Sequence, residues 1–147
     1  STTDVYSERM RIDSAGRVTM PYQPYAFVNF GGGGYASYNG IVPFDNILAN
    51  QGNHYSTTTY KFTCPVAGIY SVHIGAISQN VTDQYDIQFY HNGNSVARNH
   101  TTYRSIQASS HIKCAANDTL WCVTDPINLY GGDGTATYCR AIYTLLG

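Results

Sequence analysis

An antiparallel β sandwich is the fold class this 147-residue sequence predicts, on three observations. Apolar and polar residues alternate along most of the chain, and no segment holds a 3.6-residue period of useful length. Turn signals recur about every ten residues. Tyrosine, a strong strand former, supplies 14 residues while only 12% of the chain is charged, about half the usual share.

Residues 1–24 stand apart from this pattern. Arg9-Met10-Arg11-Ile12-Asp13 alternates, Ser14-Ala15-Gly16 turns, and Arg17-Val18-Thr19-Met20 alternates again, which reads as a small hairpin or stalk segment. Pro21 and Pro24 make a stiff joint. The domain proper is expected over 25–147.

Residues 25–30 read as its first strand. The run Gly31-Gly32-Gly33-Gly34 opens no helix and precedes no Gly-Lys-Ser/Thr, so it is a flexible loop and not a phosphate cradle. Tyr35 and Tyr38 are expected to present their rings from a loop over 31–38. Ile41-Val42-Pro43-Phe44 leads into a polar loop, 45–59. Residues 60–64 alternate and place Tyr60, Phe62 and Cys64 on one face, until Pro65 stops the strand.

A long strand over 68–79 gives Tyr70, Val72, Ile74 and Ala76 to the core. Its other face, Ile69, Ser71, His73, Gly75 and Ile77, is small, mixed and poor in charge. Tyr85, Ile87 and Phe89 point inward from 85–91. Asn92-Gly93 is the strongest hairpin signal, after which 95–103 returns. Residues 104–114 alternate through Ile106, Ala108, Ser110 and Ile112. Residues 115–118 turn into 119–124, 125–135 reads as a glycine-rich loop, and 137–146 as the last strand. Phe62, Tyr70 and Trp121 are expected to serve structure, although the strand phase of Trp121 points away from Leu120 and Cys122.

Composition excludes several classes. Net charge is −1 with no basic stripe, which argues against nucleic acid. No apolar run reaches the roughly 18 residues of a membrane span. Residues 1–4 are not a signal peptide, and without an initiator Met a fragment of a longer chain is expected. The sequons at Asn80, Asn99 and Asn117 match chance for a chain this rich in Asn, Ser and Thr.

Phe44, Asn50-Gln51-Gly52, Tyr55, Lys61-Phe62-Thr63, Pro65 and Gly68-Ile69-Tyr70 together resemble the hallmark of the complement C1q globular head, within the TNF-like superfamily. Asp118, Leu120 and Trp121 fit its later Gly-Asp turn and Val-Trp strand, with Asn117 in place of the glycine; Asn tolerates left-handed backbone. The resemblance covers roughly residue 25 to the C-terminus. It implies a ten-stranded antiparallel jelly roll and a homotrimer in which the sheet of the 68–79 strand faces the threefold axis. Ile69, Ser71, His73, Gly75 and Ile77 are then the candidate interface. The words ERMRIDSAGRV and TMPYQPYAF resemble segments of bacteriophage tail-fibre and virion appendage proteins.

Cysteine allows disulfides or buried thiols. Cys64, Cys114 and Cys122 fall on apolar strand phases. In the implied fold Cys64 and Cys122 lie on neighbouring strands and could bridge. The family's mid-domain disulfide does not carry over, because no cysteine lies between Cys64 and Cys114. With no C-x-x-C, zinc is not expected.

His91 and His100, on paired strands, could approach each other as a metal pair, and His73 would meet its copies at a threefold axis. Asp83 with Asp86, and Asp125 with Asp133, are turn residues or calcium ligands; the resemblance places calcium near the trimer apex. No cofactor is required, and the identity of any metal stays open. No Gly-x-Ser-x-Gly elbow or other catalytic constellation is present, so no catalytic residue is assigned.

The sequence therefore suggests a distal host-attachment domain of a trimeric tail fibre, on the virion, binding a cell-surface glycan or protein. A secreted, extracellular complement-like recognition module, a structural trimerisation cap and a glycan-cleaving appendage enzyme are the alternatives. The receptor-binding candidates are Tyr35, Tyr38, Asp83, Tyr85, Asn128, Tyr130 and Asp133, all read as loop residues. They combine flat apolar rings with the amides and carboxylates a sugar needs.

Overall fold

A computed structural model describes residues 10–79, 84–131 and 138–147. Arg11–Ile12 (β1) and Val18–Thr19 (β2) pair as a two-stranded sheet of their own, the hairpin expected there. Asp13 closes its turn, with Oδ1 accepting from the N–H of Ala15 and Arg17 at 2.9 and 3.0 Å. The Arg17 backbone N–H, then its guanidinium, hold the Asp13 carboxyl below the usual range.

The remaining strands are Tyr25–Asn29 (β3), Tyr35–Ile41 (β4), Asn46–Gln51 (β5), Tyr55–Ser56 (β6), Lys61–Thr63 (β7) and Gly68–Ile77 (β8). Then come Tyr85–His91 (β9), Asn94–Thr101 (β10), Ser105–Cys114 (β11), Thr119–Tyr130 (β12) and Arg140–Leu145 (β13). A five-stranded sheet runs β11-β8-β13-β3-β5. A six-stranded sheet runs β10-β9-β12-β7-β6, with β4 also paired to β12. This is the expected jelly-roll sandwich, with the two-residue β6 beyond the expected ten strands.

The core fills the space between the sheets. Phe62 stacks on Tyr143 with ring centroids 5.3 Å apart, and Tyr70 lies 5.8 Å from Phe62. Tyr70, Val72, Ile74 and Ala76 of β8 are buried, as the alternation predicts. The Tyr55 and Tyr70 hydroxyls donate to the carbonyls of Phe44 and Val66 at 3.1 and 2.9 Å, so these buried rings lose no polar partner. The Asn50 side chain bonds both backbone groups of Tyr55, at 3.0 and 2.9 Å. It thereby stands in for a strand across the turn where Gly52 and Asn53 take φ +81° and +59°. This is the physical reason for the spacing from Phe44 through Asn50 to Tyr55.

Several expectations need correction. Tyr60 has φ +57° and precedes β7, so it does not share a strand face with Phe62. The polar loop 45–59 contains β5 and β6. β5 is an edge strand on β3, and an edge with one free side needs no clean alternation. Tyr35 and Tyr38 lie on β4, and Asn128 and Tyr130 on β12, not in loops. β12 passes through Asp125-Pro126 by a register shift between Thr124 and Ile127. A proline at such a bulge removes no ladder donor, so the strand runs to Tyr130 through the start of the expected glycine-rich loop 125–135. Tyr85 is 1% exposed, and its hydroxyl donates to the Arg104 carbonyl at 3.3 Å; it is core, as its inward phase implied, and offers no surface ring.

All four cysteines are free and buried. Cys122 Sγ lies 3.7 Å from the Tyr143 hydroxyl, and Cys64 and Cys122 are both free thiols, so the Cys64–Cys122 bridge does not form. Trp121 is buried on the outer side of the six-stranded sheet, 5.6 Å from the Tyr90 ring and under Lys61 Nζ at 3.9 Å. Phe62 and Tyr70 belong to the core cluster.

Register separates the two ends of the sandwich. Leu145 N donates to Pro24 O at 3.1 Å and Ile69 N to Gly147 O at 2.7 Å, so residues 24 and 147 share one end. Gly68 is packed there so closely that a Cβ would stand 2.6 Å from Leu145 Cδ1. At the other end Phe30 N donates to Cys139 O, Ser78 N to Arg104 O, Gln79 N to Asn128 O and Gly131 N to Gly34 O, at 2.7 to 3.4 Å.

Candidate functional site

The end remote from residues 24 and 147 gathers aromatic rings. β4 and β12 pair so that Tyr35 faces Tyr130, with ring centroids 4.4 Å apart and planes at 31°. Tyr138, just before β13, also stacks on Tyr130, at 5.2 Å. The three rings form a short ladder across the edge of the sandwich. Tyr35 and Tyr138 are 39% and 42% exposed, and nearby Tyr103 is 73% exposed.

Polar groups surround the ladder. Arg104 Nε donates to Ser78 O at 2.9 Å, and its terminal nitrogen donates to the Tyr35 hydroxyl. Asn128 Nδ2 donates to Gln79 Oε1 at 2.9 Å. These bonds fix a guanidinium and two amides beside exposed rings. That mixture suits a sugar, which offers an apolar ring face and hydroxyls at its rim. Gly131 lets the two chain segments meet: a Cβ there would collide with the Gly32 carbonyl.

Of the sequence candidates, Tyr35, Tyr130 and Asn128 come together here. Tyr38 does not join them; it stacks on Phe30 at 5.0 Å and 10°. Burial, then the Asp45 charge, pushes its phenol up. Asp83 and Asp133 lie outside the described residues. Arg104, Tyr103, Tyr138 and Gln79 were missed. Tyr138 had one available signal, a place two residues before Arg140 on the same outward phase; Arg104 had none.

The histidine and acidic readings also change. Register sets His91 opposite Asn94 and His100 opposite Asp86, so the two imidazoles sit at opposite ends of the hairpin. Asp86 is clamped by His100 Nδ1 at 2.6 Å and Arg98 Nε at 3.0 Å, which leaves little of it for calcium.

The outer face of the five-stranded sheet is a second feature. Across it run His73, Ile142 and Phe27 in register, flanked by the Gly75–Arg140 pair. Ile69 is 47% exposed, and Ser71, His73, Gly75 and Ile77 are half-buried. A shallow hollow lies between Gly75, Gln107, Tyr138 and Arg140.

The C1q domain family model matches residues 32–133, downstream of the 1–24 segment. The chain is 31% identical over 98 residues to complement C1q tumor necrosis factor-related protein 5 of Rattus norvegicus, covering 60% of this chain and 40% of that protein. It is 38% identical over 86 residues to complement C1q and tumor necrosis factor-related protein 9 of Mus musculus, covering 54% and 25%. The chain thus spans well under half the length of these relatives. The globular domain of zebrafish complement 1qA superimposes with TM-score 0.61 at 17% identity, over 85% of this chain and 98% of that one. Eiger TNF from S. frugiperda gives 0.64 at 10%, over 85% and 93%. Both likenesses bear on the fold alone.

Proposed function

This chain belongs to the C1q domain family, and from that premise we propose that it is the ligand-recognising head of a trimeric extracellular protein, a complement-like binding module and not an enzyme. The observation that carries the reading is the Tyr35–Tyr130–Tyr138 ladder at the end remote from residues 24 and 147. Residues 24 and 147 lie at the opposite end, so a stalk joined there leaves the rings facing outward. The ligand class is a cell-surface glycan or a protein bearing one, bound by stacking and by Arg104, Asn128 and Gln79.

Trimerisation uses the outer face of the five-stranded sheet, where Ile69, Ser71, His73, Gly75 and Ile77 lie. Burying its apolar area against two copies is favourable at about 25 cal/mol per Å². Residues 1–24 act as the connecting stalk and 25–147 as the head. Binding requires no cofactor; calcium is an accessory at most.

A second reading, a host-attachment head of a virion tail fibre, draws on the separate β1–β2 sheet ahead of Pro21 and Pro24. The named relatives favour the complement-like module. Gly-X-Y repeats upstream of residue 1 distinguish the two, since only the former predicts a collagen stem.

The test is a glycan array and cell-binding screen with the trimer, run beside Tyr130→Ala. Specific binding that this substitution removes supports the head. No binding to any glycan or cell makes the domain a structural cap, and release of cut oligosaccharide makes it an enzyme.

A further inference from the structure

Four chemistry-bearing side chains from four segments converge at the end shared by residues 24 and 147. β9 ends at His91, β11 ends at Cys114, the turn 115–118 presents Asp118, and Cys64 follows β7. One ligand atom from each of His91, Cys114 and Asp118 lies within 4.8 Å of the others. His91 Nε2 stands 2.7 Å from Asp118 Oδ2. Cys64 lies outside that set of three but beside it. Its backbone is tied to the same turn, with Cys64 N donating to Asp118 O at 2.8 Å and Asn117 N to Cys64 O at 2.7 Å.

We propose that His91, Cys114, Asp118 and Cys64 form a binding site for one zinc-class divalent cation per chain. An imidazole, a carboxylate and two thiolates are a borderline-soft set that suits zinc and not calcium or magnesium. A tetrahedral site places its donors about 3.3–3.8 Å apart. The imidazole and carboxylate must part slightly from 2.7 Å, and the Cys64 side chain must turn toward the other three donors to complete the set.

The surroundings already orient the carboxylate. Asn92 Nδ2 donates to Asp118 Oδ1 at 2.6 Å, and Ala115 N donates to Oδ2 at 2.7 Å, the outer support that metal ligands need. His91 and Asp118 side chains are 22% and 17% exposed, while both thiols are buried; a cation enters past the first pair and reaches the second. On binding, each thiol releases its proton to solvent as its sulfur–metal bond forms. His91 turns the Nε2 lone pair to the cation and carries its proton on Nδ1. No oxidation state changes. The ligands fall at positions 64, 91, 114 and 118, so no short spacing motif announces them. The site is independent of the glycan reading.

The experiment titrates the reduced, purified chain with Co²⁺ and follows thiolate-to-cobalt charge transfer in the near ultraviolet. One Co²⁺ per chain is expected, displaced by Zn²⁺, with a higher melting temperature when Zn²⁺ is bound. Cys114→Ser, which removes a donor of the three-residue core, abolishes the band, and Cys64→Ser weakens it. His91→Gln weakens Co²⁺ binding by more than about tenfold. Cys122→Ala leaves the band intact. Circular dichroism checks each fold, and His91→Gln, being partly exposed, decides the matter where Cys114→Ser does not fold. A folded chain that gives no band, a band that survives Cys114→Ser, or full-affinity binding by folded His91→Gln overturns the site.

Discussion

Tyr35 and Tyr130 are cross-strand partners on β4 and β12, with their ring centroids 4.4 Å apart. Because Tyr138 also stacks on Tyr130, at 5.2 Å, Tyr130 is the ring that both contacts share. Removing it breaks both, whereas removing Tyr35 leaves one pair standing.

Tyr130→Ala is therefore expected to weaken binding to a glycan-bearing cell more than Tyr35→Ala does, because it removes both ring contacts of the ladder, each worth about 0.5–1.5 kcal/mol to its order. Tyr38→Ala makes the contrast: its ring packs on Phe30, so it lowers the melting temperature and leaves the affinity of the folded fraction unchanged. Surface binding and thermal melts of the three variants, side by side, check this ordering.

Gly75 faces out from β8, and a Cβ there meets nothing within 4 Å. Gly75→Glu should fold normally as a protomer yet fail to assemble, since a trimer contact would bury an unpaired charge. Light scattering on the wild type and the variant reads the outcome. A wild type that is monomeric at micromolar concentration removes the trimer from the proposed function.

Phe62 is fully buried between Tyr143 and Tyr70. Phe62→Ala should cost about 3–5 kcal/mol, seen as a lower urea midpoint. An unchanged midpoint would show that the two sheets do not pack through this ring.

Burial pushes the Cys122 thiol up to about 12 and the Cys139 thiol to about 11. At neutral pH both stay protonated and should resist a thiol reagent until the chain unfolds. The unfolded state gives up these protons first as pH rises past the usual thiol range. It then binds fewer protons than the native state, and stability falls with pH by about 1.4 kcal/mol per unit for each thiol. The loss begins near the unfolded value and ends near the folded ones. Urea midpoints at about pH 8 and about pH 10 should differ in that direction, and Cys139→Ala should flatten the slope.

Much of the fold was legible along the chain. Alternation assigned the core face of β8 to Tyr70, Val72, Ile74 and Ala76, and Asn92-Gly93 located the β9–β10 hairpin, where φ is +48° and +92°. Both features follow from local chemistry: a pleat of period two, and a turn that needs positive φ. Where local chemistry misled, a distant partner had decided. Residues 125–135 read as a glycine-rich loop, yet β12 continues to Tyr130 because the bulge opposite β4 spares the missing N–H of Pro126. Tyr85 reads as a loop ring, yet its hydroxyl finds the Arg104 carbonyl inside.

The sequence by itself determined the strand faces, the turns and the rings available for display. Only the tertiary structure decided which of those residues meet. Tyr35, Arg104, Tyr130 and Tyr138 are spread over about a hundred residues and converge because four antiparallel strands begin or end at one edge. Cys64, His91, Cys114 and Asp118 converge at the opposite edge for the same reason. Strand pairing over long separations brings such groups together, and a pairing register is a property of two segments at once, which no single stretch of sequence encodes.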